Sequence, residues 1–80
     1  MEVRFAQSAR RHRIGKARAL AAMEDAGEPV AVSARDGQAD DRLAFVGADD
    51  RGVKLEVIAV QMPDYLYVSH VMPYLYRRRG

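Results

Sequence analysis

Cysteine and tryptophan are absent from this 80-residue chain, and proline occurs three times. Without thiols there is no disulfide to brace a small core and no thiolate metal site, and a reducing compartment is allowed. A chain of this length buries only about 60 to 65% of its unfolded surface, so residues 1–80 are read as one domain with one thin core. Oligomerisation is then the remaining way to bury more. No run approaches the roughly 18 consecutive apolar residues of a membrane span. The opening Met1-Glu2-Val3-Arg4-Phe5 lacks the basic n-region and apolar h-region of a secretory signal, which sets the expectation of a cytoplasmic protein with no membrane partner. There is no Gly-rich phosphate loop, no nucleophile elbow and no internal repeat. Two histidines with no cysteine and no clustered carboxylate pair make poor ligands, so neither metal nor cofactor is expected. The Asp40-Asp41 and Asp49-Asp50 pairs lack the spaced glycine and bidentate acid of a calcium loop and read as loop chemistry.

What is present is an uneven charge distribution. Net charge is only +2, which argues weakly for a nucleic-acid partner, and the pI near 9.3 agrees with it. Placement says more than the sum. Basic residues crowd the beginning (Arg4, Arg10, Arg11, Arg13, Lys16, Arg18) and the end (Arg77, Arg78, Arg79), whereas Asp36, Asp40, Asp41, Asp49 and Asp50 mark the middle loops.

Val3 and Phe5 alternate with charged residues and predict a short first strand. Ser8 is placed to cap a short helix over Ala9 to Arg13, which Gly15 breaks or bends. From Lys16 to Ala26 the alanines, Leu20 and Met23 favour helix, with Ala19, Met23 and Ala26 on one side at i, i+4 and i+7. Gly27 stands where a left-handed residue would end that helix, and Pro29 forbids its continuation. Val30 to Ser33 predicts a strand, and Ala34 to Asp40 a polar loop.

Three further strands follow, at Leu43 to Ala48, Val53 to Gln61 and Tyr65 to Met72. Asp49-Asp50-Arg51-Gly52 and Pro63-Asp64 join them as hairpin turns of a meander. A one-residue slip swaps the faces, so register follows from pattern. With Gly52 in the left-handed position of a three-residue loop, Phe45 opposes Val57 and Leu43 opposes Ala59. With Pro63 and Asp64 as the two central turn residues, Val57 opposes His70. The expected core face is then Leu43, Phe45, Leu55, Val57, Ala59, Leu66, Val68, His70 and Met72. The other face carries Arg42, Lys54, Glu56, Tyr65, Tyr67 and Ser69 together with Ile58, Val60, Met62 and Val71. It is too polar for a core and too apolar for bare solvent, which points to a partner or ligand. The expected class is α+β, with one or two N-terminal helices packed on a small antiparallel sheet.

Several stretches carry a resemblance. Ser8-Ala9-Arg10-Arg11-His12-Arg13-Ile14-Gly15 precedes an Ala/Leu-rich helix. Arg42-Leu43-Ala44-Phe45-Val46-Gly47 is followed by Leu55-Glu56-Val57-Ile58-Ala59-Val60 and then Tyr67-Val68-Ser69-His70-Val71. In this order they resemble the small BrnT-like toxins of the RelE/ParE superfamily of bacterial toxin-antitoxin systems. The resemblance covers most of the chain through short motifs. It implies a RelE-like fold, metal-independent endoribonuclease activity and a cognate antitoxin that holds the activity in check, in a homodimer or a toxin-antitoxin hetero-oligomer.

Cleaving RNA without a metal requires a base for the 2′-hydroxyl, a cation for the crowded phosphate and an acid for the leaving oxygen. His70 or Glu56 supplies a candidate base, Lys54 with Arg77 or Arg78 the cation, and His12 or Tyr76 the acid. Tyr67 and Tyr76 are candidates to stack on splayed bases, and Arg11, Arg13, Arg78 and Arg79 to bind RNA phosphates. Each has a plainer reading. On the expected register His70 is a buried, hydrogen-bonded structural histidine. His12 is a solvated helix residue among arginines that disfavour its protonation. Lys54 and Glu56 are a surface pair on one strand, the tyrosines are strand formers, and the terminal arginines are a frayed tail. Three functions follow: a toxin-type ribonuclease, a non-catalytic RNA- or protein-binding module of the same fold, or a structural homo-oligomer.

Overall fold

The computed structural model describes residues 2–10, 13–32 and 42–74, apart from the side chains of Ser8 and Arg10. Strand β1 (Glu2–Phe5) leads into a 3-10 turn at Gln7–Arg10, helix α1 (Lys16–Ala26) and the short strand β2 (Val30–Val32). Then come β3 (Arg42–Ala48), β4 (Lys54–Gln61) and β5 (Tyr65–Pro73). The five strands form one sheet in the order β1-β5-β4-β3-β2. The class is α+β, with a single α-helix among the described residues. The sheet is mixed, because β1 lies parallel to β5 while every other pair is antiparallel. The meander of β3, β4 and β5 was legible from its turns. The pairing of β1 with a strand some 60 residues later leaves no local signal.

Helix α1 spans the expected Lys16–Ala26 and buries Ala19, Ala22 and Met23 against the sheet. Gly15 serves as its N-cap, and the Ala19 amide donates to the Gly15 carbonyl at 3.1 Å. Gly27 ends the helix with φ 71°, a sign of φ that glycine adopts without strain, although its ψ of −117° lies outside the left-handed helical region. Of the short helix expected over Ala9 to Arg13, residues 11 and 12 lie outside the described residues, and Ala9 and Arg10 belong to the 3-10 turn at Gln7–Arg10. The Ala9 amide closes a tight turn onto the Ala6 carbonyl at 3.0 Å, and Arg13 has φ 57°, which no right-handed helix tolerates. The Ala34 to Asp40 loop lies outside the described residues, as does Ser33.

The core lies between α1 and one face of the sheet. Leu55, Val57 and Ala59 of β4 and Val68 of β5 are fully buried there, with Phe45, Val71, Ile14 and Ala9 around them. Val3 and Phe5 of β1 pack on its edge. In the β3–β4 hairpin Phe45 opposes Val57 and Leu43 opposes Ala59, and Gly52 takes φ 80° as the turn required.

The β4–β5 hairpin starts in the expected register, with Ala59 opposite Val68 and a two-residue turn closed by the Met62 amide on the Tyr65 carbonyl at 2.9 Å. It then slips. A bulge at Ile58/Ala59 leaves Ser69 as an extra residue on β5, so His70 opposes Ile58 and Val71 opposes Val57. The placement of His70 and Met72 on the core face is therefore corrected: Val71 is 2% exposed in the core, and both His70 and Met72 turn to the other face. The exchange has a plain physical reason. A valine gains from that site what an imidazole would lose in desolvation.

Candidate nucleic-acid interface

The face of the sheet turned away from α1 gathers most of the polar and aromatic residues of the strands. Residues paired across strands share a face, so the register maps it in rows. Arg4, Tyr67, Val60 and Arg42 make one row across β1, β5, β4 and β3. His70, Ile58 and Ala44 make the next, followed by Met72, Glu56 and Val46. Lys54 closes the series beside Ala48, with its ammonium 5.2 Å from the centroid of the Tyr74 ring. His70 sits diagonally from Glu56, an arrangement in which α-carbons stand roughly 7–8 Å apart. Ser69 accommodates the bulge by donating its hydroxyl to the Ile58 carbonyl at 3.4 Å.

Exposure separates these groups. Lys54 is exposed and Tyr67 is 40% exposed, while His70, Met72 and Tyr74 are half-buried. Glu56 is only 2% exposed, so the expected surface pair of Lys54 and Glu56 holds for the lysine alone. Among the described residues no buried side-chain oxygen or nitrogen lacks a hydrogen-bond partner, so the Glu56 carboxyl is a satisfied group. At the β1 edge, Arg4 donates to Glu2 at 2.6 Å and lies 4.3 Å from the centre of the Tyr65 ring. The hydrogen bond from Arg4, and then its charge, hold the Glu2 carboxyl below its ordinary pKa, and the same bond raises that of Arg4. Near neutrality both groups are charged, so this corner is an ion pair with its guanidinium over an aromatic ring.

Of the sequence-derived candidates, the structure brings His70, Lys54, Glu56 and Tyr67 onto one face. Arg13 is not among them. It lies on the helix side of the sheet, at the mouth of a cavity of about 550 Å³ lined by Phe5, Ala9, Ile14, Gly15 and Lys16. His12, Arg11, Tyr76, Arg77, Arg78 and Arg79 fall outside the described residues. Arg4, which no sequence reading made a candidate, also lies on this face, and Tyr74, weighed as a strand former against an RNA role, lies near Lys54. The position of Arg4 depends on the parallel β1–β5 pairing, whereas Tyr74 follows Pro73, the last residue of β5, and is placed by the contact of its ring with the Lys54 ammonium.

Among the described residues, no group of three or more histidine, cysteine, aspartate or glutamate side chains is placed to hold a metal ion. No described helix is long and apolar enough to cross a membrane. Comparison with protein-family models, with curated proteins and with solved structures returns no match.

Proposed function

We propose that this chain is the toxin of a RelE-like, BrnT-like toxin-antitoxin pair, a metal-independent endoribonuclease neutralised by a partner antitoxin. One observation carries the reading: the β5 bulge turns His70 to the face away from α1, which also holds Lys54, Glu56 and Tyr67. Without the bulge His70 would lie in the core.

In this mechanism the His70 imidazole takes the proton of a 2′-hydroxyl, and the freed oxygen attacks the adjacent phosphorus. The bond to the 5′-oxygen breaks, leaving a 2′,3′-cyclic phosphate and a 5′-hydroxyl. Lys54 offsets the charge that builds on the non-bridging oxygens, with Arg77 or Arg78 as second cation. Tyr76 or His12 returns a proton to the leaving oxygen. Glu56, being closed to solvent, is assigned to orient the imidazole rather than to touch RNA. Growth and RNA integrity after induced expression, and cleavage by purified protein in EDTA, test this reading. Wild type is expected to arrest growth and cut RNA, and His70→Ala and Lys54→Ala are each expected to lower cleavage at least roughly 100-fold. Normal growth with intact RNA at confirmed soluble expression would sink it.

The burial of Glu56 favours a second reading, a non-catalytic module of the same fold that binds RNA or protein on this face. Salt-sensitive RNA binding with no cleavage supports that module, and strictly monomeric behaviour with no RNA affinity excludes it.

A further inference from the structure

We infer that the face of the sheet turned away from α1 takes a single strand of RNA about four nucleotides long, laid along β4 and β5 with one base stacked on Tyr67 and another on Tyr74. The inference deepens the ribonuclease reading and rests on its view of this face as the RNA-handling one.

The two tyrosines stand at opposite ends of the row series. Tyr67 opposes Val60, and Tyr74 lies beside Lys54, six residues back along β4. Six residues of strand measure about 20 Å, a span that a strand of roughly four nucleotides covers, at the low end of single-strand site sizes. His70 opposes Ile58 and falls between the tyrosines, nearer to Tyr67. A strand held at both ends therefore carries an internal phosphate past the imidazole. Each tyrosine has a cation within reach of the backbone that its stacked base would bring. Lys54 stands 5.2 Å from the Tyr74 ring, and Arg4 opposes Tyr67 on β1, where a phosphate would share its guanidinium with Glu2. The sequence adds Arg77, Arg78 and Arg79 within five residues of Tyr74. A polyanion matches this charge. A duplex does not match the rings, because paired bases in A-form RNA keep their faces inside the stack and only splayed bases offer them.

Fluorescence anisotropy with a labelled 2′-O-methyl RNA hexamer reads binding apart from cleavage, since that strand has no free 2′-hydroxyl. The hexamer is expected to bind at least tenfold more tightly than the same sequence annealed to its complement. Tyr67→Leu and Tyr74→Leu are each expected to weaken binding by roughly 5- to 100-fold, while Tyr67→Phe and Tyr74→Phe stay within about twofold, because stacking uses the ring and not the hydroxyl. Thermal melting confirms that each variant is folded. Equal affinity for duplex, no affinity for the hexamer, or folded leucine variants that bind like wild type would each overturn the inference. Ring-dependent hexamer binding beside intact RNA in the EDTA assay would remove the nuclease and leave this site standing. Cleavage that ignores both rings would do the reverse.

Discussion

Asp49 has a side chain closed to solvent, yet it keeps a full charge by accepting three hydrogen bonds. The Arg18 Nε donates to Oδ2 at 2.6 Å, and the Arg51 and Val53 amides donate to Oδ1 at 2.9 Å each. Burial is the largest single influence on its pKa and pushes it up. The bond from Arg18, the two amides and the guanidinium charge together outweigh it, so the carboxyl titrates below its ordinary value of 3.8. A depressed pKa contributes stability that is complete above the unfolded value and lost as pH falls through the folded one. Wild-type urea midpoints should therefore fall on acidification below pH 3.8, and Asp49→Asn should be less stable at pH 7 with a flatter acid limb. An unchanged acid limb in Asp49→Asn would assign the slope to other groups. The turn at Asp49 was legible, since Asp-Asp-Arg-Gly between two apolar alternations has few other readings. Its partner Arg18, 31 residues earlier on the helix, was not.

At the scale of elements, helix α1 and strand β3 approach backbone to backbone at Gly47. A Cβ on Gly47 would collide with the Ala22 carbonyl oxygen and stand 2.6 Å from the Ala26 nitrogen. The alanine face of α1 thus has a backbone reason as well as a propensity one: small residues on the helix and none on Gly47 let the two backbones touch. The Ala48 amide adds a tie across the same junction, donating to the Asp25 carboxylate at 2.8 Å. Gly47→Ala is expected to cost about 3 kcal/mol, the upper part of the range for overpacking, and to lower the melting temperature by roughly 12 °C or more. A melting curve that coincides with wild type would mean that the helix shifts freely at this point. The β5 bulge is an element-scale feature of the opposite kind. Alternation alone carries His70 into the core, and only the better fit of Val71 beside Val57 and Val68 explains why the strand yields one residue at Ser69.

Over the whole molecule, charge is segregated more than it is accumulated. A net charge of +2 would suit many soluble partners, but Lys54 and Arg4 mark two corners of one face and a run of three arginines follows Tyr74 in sequence. RNA binding through this face should weaken with salt, with a log–log slope of about −2 for roughly three phosphate contacts, and Lys54→Ala should flatten it by about 0.7. Titrations of wild type and variant between low and moderate salt measure both, and a slope near zero would exclude phosphate contacts as the source of affinity. The sequence by itself determined the local structure of this protein: the helix from Lys16 to Ala26, its glycine stop, the two hairpin turns and the register of β3 on β4. Those follow from propensity, turn chemistry and a period of two, all of which act over a few residues. Only the tertiary structure decided the parallel placement of β1, the seat of α1 on Gly47, the Arg18–Asp49 bond and the face that His70 occupies. Each of these depends on what fills the space across the core or across the sheet, and that competition among distant side chains has no trace in any short stretch of sequence.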